Sequence, residues 1–407
     1  MEHLATVLPT RGGKLTSGCG RLAAPPSPVS TPSGKKGQSK QVPADFAAEE
    51  ATMLAPRSLR KASVPPALLS DPTPASLQPT RLAVHVNGAG SSCSAYLASG
   101  CRVYKIEISM DGAMLSKGKE SLLIPDSAQV ISSSVVDRCP HRSEIQGVAL
   151  AEGEADNCLI LGTVDAYGHL IVSRLDIAVD DIDRTSYSVP PRDCGVGEGS
   201  WAGICFSPTQ RSVAGVARLL CKSIDIYDQD IHVRTLRTLW YPSSFSFVQC
   251  SPQANGSSSL LAIAEGSQLS IWDLRMNNNG GCVQRISGSI GDIIYSVCSS
   301  PSGPIAIGGT DRTVTIYDPR RWSALSRWVG CSKYEITGLS FSSVDQSFIY
   351  VQGIDYEITC GRWKESERAF SFRGDSNWLG FSKCANTDVV AGWCESGSIF
   401  IADAMLL

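Results

Sequence analysis

Histidine is scarce in this chain of 407 residues: His3, His85, His141, His169 and His232 are all it has, and none sits in a recognisable motif. With no Gly-x-Ser-x-Gly elbow and no His-Glu-x-x-His helix, the marks of an activated serine or a catalytic zinc are missing. The fifteen cysteines are odd in number and nowhere spaced Cys-x-x-Cys, which argues against a disulfide framework and against a zinc site. Cys205, Cys250 and Cys298 lie in apolar strand-like runs and read as buried, reduced thiols. No apolar run reaches the roughly 18 residues that span a bilayer, and the amino-terminal stretch lacks the apolar core of a secretory signal. No catalytic residue, cofactor, metal or membrane partner is therefore expected, and the expected location is the nucleus or cytoplasm.

Aromatic residues are almost absent from positions 1–80, where Phe46 is one of 29, while 12 of the 22 prolines fall there. A segment so poor in large apolar groups cannot repay its ordering entropy, so residues 1–80 are expected to form a disordered tail. It is basic, with nine Lys/Arg against five Asp/Glu, and precedes a body of 27 basic and 34 acidic residues. Arg11, Lys14, Arg21, Lys35, Lys36 and Lys40 stand among Ser and Thr with no acid from 3 to 44. That composition suits a regulatory tail, with a plastid or mitochondrial address as the alternative. Ser27-Pro28, Thr31-Pro32 and Thr73-Pro74 are candidate proline-directed phosphosites, and residues 44–54 could form a short helix.

From residue 81 onward, short β-branched or aromatic runs alternate with Gly, Ser, Asp and Asn clusters, an all-β pattern. A repeat runs through it. SIDIYDQD (223–230), LSIWDLR (269–275) and VTIYDPR (314–320) place Asp228, Asp273 and Asp318 at intervals of 45 residues. WAGICFSP (201–208), FSFVQCSP (245–252), IIYSVCSSP (293–301) and TGLSFSS (337–343) read as inner strands in the same phase. An acid often stands at the turn after the next strand: Asp165, Glu265, Asp311, Asp355 and Glu395. A carboxylate there accepts backbone N–H groups that a tight turn would leave orphaned, which marks these five as structural.

A period of about 40 to 45 residues closing on an aromatic-Asp pair resembles the WD-repeat family of propellers, in which one repeat makes roughly one four-stranded blade. Third strands at CRVYKIEIS, HLIVSRLDI, the three signatures, EITCGRWK and SIFIADA make seven blades. The resemblance implies an all-β, seven-bladed β-propeller over residues 81–407, in which Trp272 and Tyr317 pack within blades and Asp273 and Asp318 orient strand ends. The family's usual Gly-His is missing from its expected places. The last blade has no outer strand after Asp403, and the family's remedy is a strand from the amino-terminal side, expected between about residues 55 and 70. Closing the ring removes two exposed sheet edges.

Function on a propeller is carried by the loops at its two ends. At one end, before inner strands or after second strands, Tyr167, Trp201, Tyr241, Tyr334, Tyr356 and Trp378 form an expected binding rim, with Trp201 and Trp378 the first to be drawn into packing. At the other end, IAIGGTDRTVTIYDPR (305–320) resembles the sixteen-residue box of WD-repeat receptors that dock on the damaged-DNA-binding adaptor of cullin-type ubiquitin ligases. LAIAEGSQLSIWDLR resembles it with one residue fewer in the turn. That resemblance implies that Arg275 and Arg320 face the adaptor, a contact suited to the planar guanidinium fork. A scaffold subunit of another nuclear or cytoplasmic assembly is the alternative, and a hydrolase with carboxylates converging on a central cavity is the alternative of another class. Gly195–Gly199 precedes an inner strand rather than opening a helix, so it reads as an inter-blade loop. Arg320-Arg321-Trp322 is an isolated basic-aromatic cluster in an acidic body, and nucleic-acid binding is not expected. The expected function is a non-catalytic scaffold for binding other proteins.

Overall fold

Six times in succession the chain lays four strands antiparallel and in order, and a seventh time it supplies only three. The computed structural model describes residues 53–407 apart from 69–75, 89, 113–114, 138, 154–157, 177–186, 192–198, 250–258, 277–280 and 290. Blade 1 consists of Leu82–Val86, Ser92–Ser99, Arg102–Ser109 and Val130–Val135. Blade 2 consists of Ile145–Glu152, Cys158–Asp165, Leu170–Asp176 and Tyr187–Val189. Blade 3 begins at Ala202–Phe206, blade 4 at Pro242–Val248, blade 5 at Ile294–Ser299 and blade 6 at Ile336–Phe341. The chain is a seven-bladed β-propeller.

Strand composition follows from this geometry. The second strand of blade 4, Leu260–Glu265, is buried along nearly its whole length because blades 3 and 5 cover both of its faces. The outer strand of blade 3, Ile231–Arg237, alternates towards water and keeps only Leu236 fully buried. There is no single core. Apolar side chains gather instead into seven wedges, each drawn from two neighbouring blades. Ala306, Val314 and Ile316 of blade 5 meet Ile336, Phe341 and Ile349 of blade 6, and Leu261 and Trp272 of blade 4 meet Ile224 and Ile226 of blade 3. Burying each such large side chain contributes about 1.5 to 3 kcal/mol, so the ring is held by many equal contributions.

Blade 7 has three of its strands, Trp378–Lys383, Asp388–Cys394 and Ser398–Leu406, from the carboxyl-terminal end. Its fourth is Leu54–Ser63, antiparallel to Ser398–Leu406 from Leu54 opposite Leu406 to Ser63 opposite Ser398. The closing strand falls at the amino-terminal edge of the expected 55–70 window, so the propeller starts before residue 81. The prolines of this stretch are accommodated because Pro56 falls at a register shift, where a missing N–H costs no ladder bond, while Leu54 and Leu59 supply the buried face. The expected helix at 44–54 lies outside the described residues except at its end, where Leu54 is already strand. The candidate phosphosites at 27–28, 31–32 and 73–74 also lie outside them, apart from Thr73-Pro74's neighbours from residue 76.

A strap covers the closing strand. Between the third and outer strands of blade 1 the chain leaves its own sheet, and Asp126–Ser127 pairs parallel with Arg60 and Lys61 as a fifth strand on blade 7. Leu123 is buried against Leu54, Phe370 and Phe372, and Leu122 bridges to Ser371 of blade 6. Arg60 on the closing strand is itself buried and donates to the carbonyl of Met110, at the root of the strap.

Candidate interaction surface

In an antiparallel blade, alternate connections fall at opposite ends of the ring. One end carries the turns between second and third strands and the connections that lead into inner strands. Four of the six aromatics expected there, Tyr167, Tyr241, Tyr334 and Tyr356, are exposed. The other two are not. Trp201 is 6% exposed and donates its indole N–H to Thr80 Oγ1 at 3.0 Å, and Trp378 is 2% exposed, edge-on to Phe372 and Phe400. A Cβ at position 392 would collide with the Trp378 ring, so glycine there makes room for it. Both tryptophans are packing residues and leave the rim.

The most exposed apolar group at this end is Leu239-Trp240-Tyr241, the connection from blade 3 to blade 4, with Trp240 54% exposed. Three large apolar side chains in water would ordinarily sit on a mobile loop, but this one is fixed from below. Glu265, fully buried, accepts the amides of Leu239 at 2.6 Å and Trp240 at 3.0 Å on one oxygen and the Arg285 guanidinium at 2.9 Å on the other. Thr238 receives support as well: its amide donates to Lys222 O, and its hydroxyl donates to Trp240 O at 2.7 Å. Gly266, at φ +56°, lets Trp240 lie directly over the turn. Ile293 and Tyr334 extend the apolar surface onto the connections before blades 5 and 6. Each of three exposed tyrosines has a cation over its ring: Lys222 over Tyr241 at 4.7 Å, Lys333 over Tyr334 at 5.2 Å and Arg373 over Tyr356 at 5.9 Å.

The five turn acids divide by side-chain length. Asp165, Asp311 and Asp355 accept an amide two residues on, from Tyr167, Thr313 and Glu357. Glu265 and Glu395, one methylene longer, reach the connection preceding the inner strand instead, at Leu239-Trp240 and at Asn377. Asp165 also receives His141, whose Nδ1 lies 3.2 Å from Oδ2 and whose Nε2 lies 2.8 Å from Thr163 Oγ1. Burial works to raise the Asp165 carboxyl, but hydrogen bonds from His141 and the amides of His169 and Tyr167 outweigh it and hold it below its ordinary value. His141, Asp165 and His169 lie close enough to suggest a metal site, yet both ring nitrogens of His141 are already engaged and His169 Nε2 meets Ser188 Oγ at 2.6 Å. The cluster ties the blade 1–2 connection to blade 2. Its signal in the sequence was a histidine four residues before an inner strand, hidden because Pro140 precedes it in place of glycine.

At the opposite end Arg275 and Arg320 leave two neighbouring blades by the same turn: each donates its amide at 2.9 Å to the carboxylate two residues earlier, Asp273 or Asp318. Both side chains are exposed. Arg275, 73% exposed, also folds its guanidinium onto Asp273 at 2.8 and 3.0 Å, and this hydrogen-bonded pairing is the chief reason the Asp273 carboxyl is held below its ordinary value. Arg234 of blade 3 grips the same turn through the carbonyls of Leu274 and Met276. Trp272 is buried, with its indole N–H on Ser270 Oγ, whereas Tyr317 is half-buried and Asp228 exposed.

Two cavities occupy the axis. One of about 320 Å³ lies along the inner edge of blade 1, beside Val84, Glu152 and Phe381, and one of about 160 Å³ lies between Trp201, Tyr295 and Phe381. Segment 79–81, which leads into blade 1, links the two blades that flank it, with Thr80 bridging to Gly380 of blade 7 and donating its hydroxyl to Gln146 O of blade 2 at 2.6 Å. Elsewhere burial pushes the Cys205 thiol up to about 11 and the Cys298 thiol up to about 12; Cys250 lies outside the described residues. No family model matches the chain, and no curated protein matches it.

Proposed function

We propose that this propeller is a non-catalytic scaffold of the WD-repeat type that binds other proteins through the end bearing Leu239, Trp240 and Tyr241. The observation that carries this reading is the support under those residues: a fully buried carboxylate holds the backbone of an exposed tryptophan. Immobilising an apolar side chain in advance removes an ordering cost that a partner would otherwise meet on binding. The axial cavities offer a hydrolase little, since Glu152 is the sole carboxylate among their described lining residues. The test is affinity purification with mass spectrometry, comparing the full chain with Trp240→Ala/Tyr241→Ser. Loss of a defined set of partners at unchanged melting temperature supports the reading, and an unchanged set removes this end from it.

A second reading, docking on a cullin-ligase adaptor, has its own support in the matching turns of Arg275 and Arg320 on adjacent blades. Arg275→Ala with Arg320→Ala is expected to abolish adaptor co-purification, because truncating a central interface arginine commonly costs about 2 kcal/mol or more. Retention of the adaptor by the double variant, or no binding by the wild type, ends that reading.

A further inference from the structure

Leu59-Arg60-Lys61-Ala62-Ser63-Val64, the second half of the closing strand and the residue after it, sets two adjacent cations three and two positions before a serine and an apolar residue one position after it. Carboxylates lining the substrate groove of a basophilic protein kinase read that spacing through charge-assisted hydrogen bonds. The chain has one other hydroxyl residue with such a pair before it, Ser323 after Arg320-Arg321-Trp322. There the backbone is curled, since Asp318 O accepts the amides of both Arg321 and Trp322 and Trp322 lies at φ +53°. Around Ser63 it is extended.

In the closed ring the two cations are engaged and the acceptor is not covered. Arg60 is buried with its guanidinium on Ser58 Oγ and Met110 O, and Lys61 Nζ meets Asp375 at 2.8 Å. The backbone at 58–63 is laddered to 398–403, and the Val64 amide donates to Gly397 O at 2.8 Å. Ser63 itself is exposed. It stands opposite Ser398, and residues directly opposite in an antiparallel pair share a face, with Cβ atoms roughly 5 Å apart. Ser398 Oγ donates to Asp375 at 2.7 Å, so the Ser63 side chain emerges on the face that holds the Lys61–Asp375 pair. Among the described residues, the charges on that face and on the turn it meets are Lys61, Asp375 and Glu395, one cation and two acids.

We propose that Ser63 is a phosphorylation site for a basophilic serine/threonine kinase, open to modification only while the closing strand is off blade 7, and that phosphate there opposes closure. In the transfer Ser63 Oγ attacks the γ-phosphorus of Mg-ATP and the bond to the β–γ bridging oxygen breaks. ADP leaves, and the hydroxyl proton passes to the kinase's catalytic carboxylate. The product carries about two negative charges at neutral pH. On this face they compete with Asp375 for the one cation, Lys61, and repel that carboxylate. Closure therefore hides the site, and modification of the site resists closure.

The test is to co-express the full-length protein in bacteria with the catalytic subunit of cyclic-AMP-dependent protein kinase and, separately, to incubate purified protein with the same kinase and Mg-ATP. Peptide mass spectrometry of the soluble and insoluble fractions together locates the phosphate and separates Ser63 from Ser323. Occupancy of Ser63 is expected to be about tenfold higher or more on co-expression, because attack on a transiently opened strand tracks its small open population. Asp375→Asn, which loosens the strand without touching the segment the kinase reads, should raise the rate on purified protein about threefold. Ser63→Asp, in place of the phosphate, should speed amide exchange across Leu54–Ser63 about threefold to fivefold relative to Ser63→Ala, and by less in the Asp375→Asn background. No phosphate at Ser63 on co-expression, or equal occupancy in both arms, overturns the gated site. Ser63→Asp exchanging like Ser63→Ala overturns its opposition to closure.

Discussion

Glu265 Oε2 accepts the amide of Trp240 at 3.0 Å, although twenty-five positions of sequence separate the two residues. A buried acid of one blade thereby sets the shape of the connection that enters it. Glu265→Ala would strand the amides of Leu239 and Trp240 and leave Arg285 without its carboxylate. The expected loss is about 2 to 3 kcal/mol, read from urea unfolding. Glu265→Asp, too short to span the gap, should release the amides of Leu239 and Trp240 to faster hydrogen exchange.

His141→Ala should cost about 2 kcal/mol, because it leaves Thr163 and the buried Asp165 short of a partner in blade 2. The urea midpoint should fall with little change in slope, since the fold and its buried surface persist. A variant that bound a divalent metal less tightly than wild type but unfolded identically would contradict this structural role.

Acid should loosen ring closure before it unfolds the ring. Burial favours a higher value for the Asp375 carboxyl, but hydrogen bonds from Lys61 of the closing strand and from Ser396 and Ser398 outweigh it and hold the group well below the usual carboxylate range. A depressed folded value means that the latch stabilises fully above the unfolded value, near 4, and is lost as pH falls below it. Amides of Leu54–Ser63 should therefore exchange faster as pH is lowered from about 5 to 3, after correction for intrinsic rates, and Asp375→Asn should remove that dependence.

A fragment beginning at Arg81 should aggregate, whereas one beginning just before Leu54 should stay monodisperse in gel filtration. The shorter fragment loses the strand paired with Ser398–Leu406 and exposes that long apolar edge. Leu59→Ala within the full chain is a milder form of the same lesion, expected to cost about 2 to 5 kcal/mol at this fully buried site.

The blades were legible because strand phase survives where signature residues do not: the strands at Arg102–Ser109 and Ser398–Leu406 carry no aromatic-Asp pair ending like LSIWD, yet fall in register with those that do. The site was legible only in part. Tyr241 announced itself, but Trp240 beside it reads equally as a core residue, and its exposure is decided by Glu265 and Gly266, which lie beyond the inner strand of the blade it leads into. Trp201 and Trp378, the two expected first to be drawn into packing, are buried because glycines leave space for their rings, Gly203 two residues on for Trp201 and Gly392 on the next strand for Trp378. Nothing local to residues 122–127 foretold that they would pair with blades 6 and 7 instead of blade 1.

That strap bears on the order in which the molecule can be made. Leu54–Ser63 leaves the ribosome long before Ser398–Leu406, its antiparallel neighbour, and Asp126–Ser127 completes the edge of the sheet that those two form. Translation therefore delivers two early segments whose partner is made much later. The interval before that pairing is when the nascent chain depends most on whatever shields an unpaired strand.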